Sequence, residues 1–358
     1  MNRENKIIII LTFLLVFCLS GCVQKSAPQA TGERPWGENP QANQEKSPGA
    51  QISEVPNPPS GEISVYKGFW MPSSFYYDHK GQSMSDPKDL KAAGANIASI
   101  APNIRINSKG EVKFDAPFDY LEQALAYWAK NYYENGIRIS LVIEMSYQED
   151  LNLRLNQEPK PVPHGIASQP GFLDDYNKIV IEVAKLAEKY HVEMFSPMNE
   201  PDLKLGEATA STWGQAILPE IKKYYHGKVL WKAAGSDEKQ ANIDFSGYDI
   251  IGFDPTPGGG NPKTSLAAYP GQIREMIKLA KGRAEKYKVP QVMITEFGVW
   301  GGALAFSEEN KMLAHRIVFE EGQGKVSGFI ILDPPSDLDR GLLGTPSLEE
   351  ITKWFNKL

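Results

Sequence analysis

DDYNKIVIEVAKLAEKYHVEMFSPMNEP, residues 174–201, passes from a helical pattern straight into a strand pattern. Two acidic residues open an amphipathic helical run that extends to Tyr190, and His191 leads out of it. The pattern then changes to an apolar run, residues 194–198, closed by Asn199-Glu200-Pro201. A helix that feeds an apolar strand ending in a carboxylate is a unit of α/β architecture, and it recurs along the chain.

Counting this one, strand-like runs fall at residues 65–70, 97–101, 138–144, 194–198, 229–233, 250–253, 292–295 and 329–332. Several are apolar without alternation, as parallel strands buried on both faces require. Helical runs fill the gaps. Asp86-Pro87 starts one that Gly94 stops, and residues 119–135 form another stopped by Gly136. Further helices are predicted at 212–225, 270–287, 308–321 and 347–357, with a short or degenerate one around 237–242. Eight strand–helix units predict a single-domain (β/α)8 TIM barrel of the α/β class over residues 63–358. An open, doubly wound sheet is the alternative, because spacing alone does not prove closure. Gly258-Gly259-Gly260 lacks the lysine and following helix of a P-loop and reads as a flexible turn.

The first residues read differently. Arg3 and Lys6 precede an apolar run too short to span a bilayer, the layout of a secretory signal. Leu19-Ser20-Gly21-Cys22 resembles the lipobox of bacterial lipoproteins. That resemblance implies a signal peptide over 1–21 and a lipid-bearing Cys22 as membrane attachment point, hence an extracytoplasmic, membrane-anchored protein. Residues 22–62 are rich in Gln, Pro, Ser, Ala and Gly and read as a flexible linker. With Cys18 removed and Cys22 lipidated, no thiol pair is left for a disulfide or a metal.

Composition narrows the function classes. A net charge of −6 with scattered basic residues offers no patch for nucleic acid. The five histidines are isolated, without the spacing of a zinc site, so neither a metal nor a cofactor is expected.

Chemistry concentrates in two strings. Asn199-Glu200-Pro201 ends the fourth strand and Thr295-Glu296-Phe297-Gly298 the seventh, and in a barrel both ends open into one mouth. Together, on these strands, they resemble the signature of the clan A glycoside hydrolases, the retaining β-glycosidases that include cellulases and β-mannanases. The resemblance implies Glu296 as nucleophile, Glu200 as acid/base and Asn199 as a ligand of the neighbouring sugar hydroxyl. Retention sets an expected separation of about 5 to 5.5 Å between the two carboxyl groups.

Glu144 closes the third strand and Asp254 the sixth, so both are candidates to bind sugar hydroxyls or to tune the pair. Trp70 and Trp300 are candidates to stack on pyranose rings, with core packing as the alternative. Tyr147, Asp202 and Trp231 are further cleft candidates. Trp128, Trp213 and Trp354 lie in helical patterns and are expected to pack between helix and barrel. Asp333, Asp337 and Asp339 read as a solvated acidic loop with Arg340 as counter-charge.

The chain also departs from the clan. Phe253-Asp254 stands where many members carry a tyrosine after strand six, and Leu332-Asp333 where many carry a tryptophan after strand eight. The usual arginine after strand two is not evident. The reading is a cell-surface β-glycosidase acting on a poly- or oligosaccharide. Its alternatives are a non-catalytic carbohydrate-binding lipoprotein on the same barrel and a transporter's solute-binding component, which eight regular units disfavour.

Overall fold

The structure, a computed structural model, describes residues 56–71, 84, 86–114, 118–151, 162, 165–235, 240–255, 262–298, 307–333 and 341–358. Cys22, the signal, nearly all of the linker, Gly258 to Gly260, Trp300, Asp337, Asp339 and Arg340 lie outside them.

Eight parallel strands close into a barrel. In chain order they are β1 (Tyr66–Met71), β2 (Ile97–Ile100), β5 (Arg138–Val142), β7 (Met194–Ser196), β8 (Lys228–Ala233), β9 (Ile250–Phe253), β10 (Gln291–Phe297) and β11 (Gly328–Leu332). Pairing of β1 with β11, Tyr66 opposite Gly328 through Trp70 opposite Leu332, closes the ring and leaves the barrel without an edge strand. This settles the choice between a barrel and an open sheet.

The helices are α1 (Pro87–Ala92), α2 (Phe118–Glu134), α3 (Phe172–Lys189), α4 (Pro201–Leu205), α5 (Glu207–Lys222), α6 (Pro262–Tyr287), α7 (Glu308–Gly322) and α8 (Pro346–Lys357). Local chemistry starts several of them. Asp86 accepts from the Lys88 N–H ahead of Pro87, Ser307 from that of Asn310, and Thr345 from that of Leu348 ahead of Pro346. Pro270 does not start a helix as its position suggests: α6 begins at Pro262 and runs through it. A proline in a helix interior removes one N–H donor, and the flanking turns of α6 carry the helix across.

Each strand shares its side chains between two cores. Tyr66, Trp70, Ile97, Val142, Met194, Leu230, Met293 and Ile330 fill the barrel interior. Their strand neighbours, among them Phe69, Ala98, Phe195, Trp231, Ile294 and Phe329, pack outward against the helices. Trp213 and Trp354 are buried in that outer layer, and Trp128 packs on it partly buried.

Three short strands were not read from the sequence. β3 (Asn103–Ile106), β4 (Val112–Phe114) and β6 (Glu144–Tyr147) form a second sheet in the order β4-β3-β6. β3 and β6 follow β2 and β5 almost without a break, so this sheet extends the barrel wall past the C-terminal ends of its second and third strands. The strand predicted over 138–144 is two strands, parted at Ile143.

At the opposite end a polar cluster fills the barrel floor. The Tyr66 hydroxyl donates to Glu193 Oε1 at 2.5 Å, Arg138 Nη1 pairs with Glu193 Oε2 at 2.6 Å, and Lys228 bonds the Tyr66 hydroxyl. Arg138 Nη2 also donates to the carbonyls of Pro59, at 2.9 Å, and Gly61, which holds the segment before β1 beneath the barrel. Burial pushes the Glu193 pKa up, but the Tyr66 hydroxyl and the Arg138 guanidinium outweigh it, and the net direction is down. Arg138→Ala is therefore expected to cost about 2 kcal/mol of stability, the range for hydrogen bonds to charged groups, read as a lower midpoint in urea unfolding. Because the folded pKa of Glu193 is depressed, its contribution is full above about 4.3, the ordinary glutamate value. It is lost as pH falls through the lower folded value, and the Arg138→Ala deficit narrows over that window.

Candidate active site

A strand's alternation would send Glu296 to the helix side, because Ile294 already faces outward. It does not go there. Pairing of β10 with β11 passes from Ile294 opposite Phe329 to Phe297 opposite Ile331, an irregularity of one extra residue. This bulge turns both Thr295 and Glu296 inward and leaves Phe297 outside, edge-on to His315 at 4.9 Å between centroids. Gly252 on the neighbouring strand makes the room. A Cβ there would lie 2.4 Å from Thr295 Cγ2.

The chain makes a similar turn after β7. Phe195 and Met198 both belong to the outer layer, and the Ser196 hydroxyl donates to the Met198 carbonyl at 3.0 Å across the bend. Asn199 then bridges Lys232 in the adjoining strand, and the Glu200 N–H donates to the Lys232 carbonyl at 2.9 Å. Glu200 takes a left-handed backbone, φ 49° and ψ 57°. A non-glycine residue pays a strain energy there that persists only when its surroundings enforce it, as they often do at functional sites. It precedes α4 without making a side-chain cap, so helix capping does not account for this glutamate.

Bonded to Glu296 is a residue that the sequence alone did not single out. Lys232, on β8, is fully buried, and its ammonium spends three hydrogen bonds on three acceptors. These are Asn199 Oδ1 at 2.6 Å, Asp254 Oδ2 at 2.5 Å and Glu296 Oε2 at 2.7 Å. The Trp70 ring lies beneath it, 4.9 Å from the nitrogen to the centroid. Trp70 is itself buried in the barrel interior, so it forms a floor to the site. The chain of contacts continues on both sides. Asp254 Oδ1 accepts from Thr295 Oγ1 at 2.8 Å, and Asn199 Nδ2 donates to Glu144 Oε2 at 2.5 Å. Lys204 of α4 pairs with the other oxygen of Glu144.

Burial alone would push the Lys232 pKa down, but the charges of Asp254, Glu296 and Glu200 outweigh it and push it up. The three acceptors hold the amine as an ammonium, the form that does not add to a carbonyl. Burial raises the Asp254 pKa, and the neighbouring glutamates raise it further. The ammonium at 2.5 Å opposes both without cancelling them, and the net direction is up. In geometry, with one oxygen on the ammonium and the other on Thr295 Oγ1, Asp254 is the ion-pair partner of Lys232. Glu200 is pushed up to about 6, first by burial and then by the charge of Glu296, against the pull of Lys232. The site thus presents one carboxyl that is protonated in mildly acidic water and one, Glu296, held by a cation. That division is what acid-assisted displacement at a carbon centre needs.

The remaining candidates are placed as follows. Trp231 does not line the cleft: next to Lys232 on one strand it must face the other way, and it packs edge-on to Phe245 and Tyr248 in the outer layer. Asp202 accepts from the Ala234 N–H at 3.2 Å and from Gln240 at 2.7 Å, and so ties the turn after β7 to the loop after β8. Tyr147, the last residue of β6, bonds Glu149 just beyond the strand. Asp333 is buried, not solvated, and accepts from the N–H groups of Met84 at 2.7 Å and Leu342 at 2.9 Å. Among the described residues no cluster of His, Cys, Asp and Glu could hold a metal ion.

No family model matches the chain, and no curated protein matches it. Solved structures do. The GH113 β-mannanase AaManA from Alicyclobacillus acidocaldarius is similar at 12% identity and a TM-score of 0.60, over 83% of this chain and 98% of that one. An endo-β-1,4-mannanase from Thermotoga petrophila is similar at 15% identity and a TM-score of 0.56, over 83% and 77%. A β-glucuronidase from an uncultured Clostridium sp. is similar at 16% identity and a TM-score of 0.52, over 83% and 51%. At these identities the likeness establishes the barrel fold.

Proposed function

We propose that this chain is a retaining β-glycosidase that cleaves a poly- or oligosaccharide, with Glu296 as nucleophile and Glu200 as acid/base. The observation that carries the reading is the unequal setting of the two carboxyls: Lys232 donates to Glu296 Oε2 at 2.7 Å, while burial and the charge of Glu296 push the Glu200 pKa up to about 6. In the first step Glu296 attacks the anomeric carbon while Glu200 gives its proton to the leaving oxygen. Glu200 then takes a proton from the water that displaces Glu296. Asn199, its amide oriented by Lys232 and Glu144, has one amide proton and one lone pair left for a sugar hydroxyl.

Mannanases among the similar folds make β-1,4-mannan the first substrate to try. The test is release of reducing sugar by the full chain from mannan, glucan, galactan and xylan, with the anomer of the product followed by NMR. Release of a β-anomeric product supports the reading. Binding without release favours the carbohydrate-binding alternative.

We also propose that the protein is held outside the membrane by lipid on Cys22, which would keep products of a large substrate near the cell. Labelled palmitate is expected to enter the wild-type chain but not Cys22→Ser, and that variant is expected to leave the membrane fraction.

A further inference from the structure

A carboxylate that becomes an ester loses its charge, and any buried cation that depended on it is then stranded. Lys232 is such a cation, fully buried and 2.7 Å from Glu296. It is not stranded here because Asp254 holds it from the next strand at 2.5 Å, and Thr295 holds Asp254 in turn at 2.8 Å. Lys232 also donates to Asn199, so all three of its N–H bonds are used and the head group has one orientation. Because Glu296 Oε2 is the oxygen it grips, Oε1 is the one left for attack.

We propose that Lys232, locked into an ion pair with Asp254, is the positioning residue that orients and charge-balances Glu296 through both halves of the reaction. The proposal rests on Glu296 as nucleophile and adds how it is served. In the first half the bond from Glu296 Oε1 to the anomeric carbon forms and the bond to the leaving oxygen breaks. The electron pair goes to that oxygen, which takes the Glu200 proton. Negative charge leaves Glu296 and arises on Glu200, while Lys232 and Asp254 keep their opposite charges. The net charge of the four groups is the same before and after, so no step leaves the buried Lys232 without a counter-charge. In the second half water supplies a proton to Glu200 and its oxygen to the anomeric carbon, and Glu296 leaves as the carboxylate back to the waiting ammonium.

The charged groups that face Lys232 and its partners are Asp254 after β9, Glu296 on β10, Glu200 after β7, and the Glu144–Lys204 pair. The test therefore reads Glu296 itself. The full chain is labelled with carboxyl-13C glutamate, the Glu296 resonance is assigned by its loss in Glu296→Gln, and its position at one fixed neutral pH is compared among variants. Lys232→Met takes away the ammonium that grips Oε2 and is expected to shift the resonance. Asp254→Asn, nearly isosteric, is expected to shift it in the opposite direction, because the ammonium then serves one carboxylate. Lys232→Met/Asp254→Leu removes the pair together and is expected to lie between wild type and Lys232→Met. A purely structural role would not give shifts of opposite sign. An unmoved resonance in Asp254→Asn overturns the proposal even if Lys232→Met does not fold, and so does one displaced in the same direction as in a folded Lys232→Met. The readout needs no turnover, so a chain that hydrolysed none of the polysaccharides would count against the glycosidase reading without deciding this one.

Discussion

Glu296→Ala is expected to lower kcat by roughly 10^4 to 10^6, the scale on which loss of a covalent nucleophile is felt when the rest of the machinery remains. The fold should survive. Glu296 lies at the rim of the barrel, and its removal frees one of the three bonds of Lys232 without emptying the core. The ammonium keeps Asp254 and Asn199, so the buried cation is not left alone. What the variant lacks is an attacking atom on the face opposite the leaving group, and a small external anion can fill that space. Azide is accordingly expected to restore turnover and to yield a glycosyl azide of inverted configuration, because one displacement replaces two. An unaffected rate in Glu296→Ala, or an azide product of retained configuration, would remove this residue from its role.

The barrel was legible because eight apolar runs with helical intervals leave little else to build, and the observed strands begin and end within a few residues of the runs. The placement of the two glutamates at strand ends was legible as well, since each closes an apolar run. Their setting was not. Lys232 lies in the run VLWKA, where attention falls on Trp231 as the aromatic, yet strand geometry sends neighbours to opposite faces. The signal was present: a lysine inside a run buried on both faces must find partners or be expelled. The bulge that turns Glu296 inward leaves no mark on composition, because it depends on the room above Gly252 and on pairing with a strand thirty residues away in sequence. The second sheet hid for a related reason. β3 and β6 continue barrel strands across a kink of one or two residues, and a sequence reading sees one strand where the structure makes two sheets. Asp333 looked solvated because the two backbone N–H groups from which it accepts carry no side-chain signature.

Glu200→Gln is expected to lower kcat/KM by about 10^2 to 10^4 on natural glycosides, the range for loss of a general acid, and by far less on aryl glycosides whose leaving group needs no proton. The pH profile gives the sharper test. The first step uses the protonated form of Glu200, so the wild-type kcat/KM is expected to fall above pH about 6. Glu200→Gln cannot lose that proton and should lack this basic limb. The position of the limb is itself open to test, because two charges beside Glu200 act on it in opposite senses: Lys204 pulls its pKa down and Glu144 pushes it up. Lys204→Met should therefore move the limb to higher pH and Glu144→Gln to lower pH. Since Lys204 and Glu144 pair with each other, a double variant removes both influences and should bring the limb back near its wild-type place. A basic limb that persists unchanged in Glu200→Gln would assign the falling limb to another group and leave the leaving oxygen without its acid.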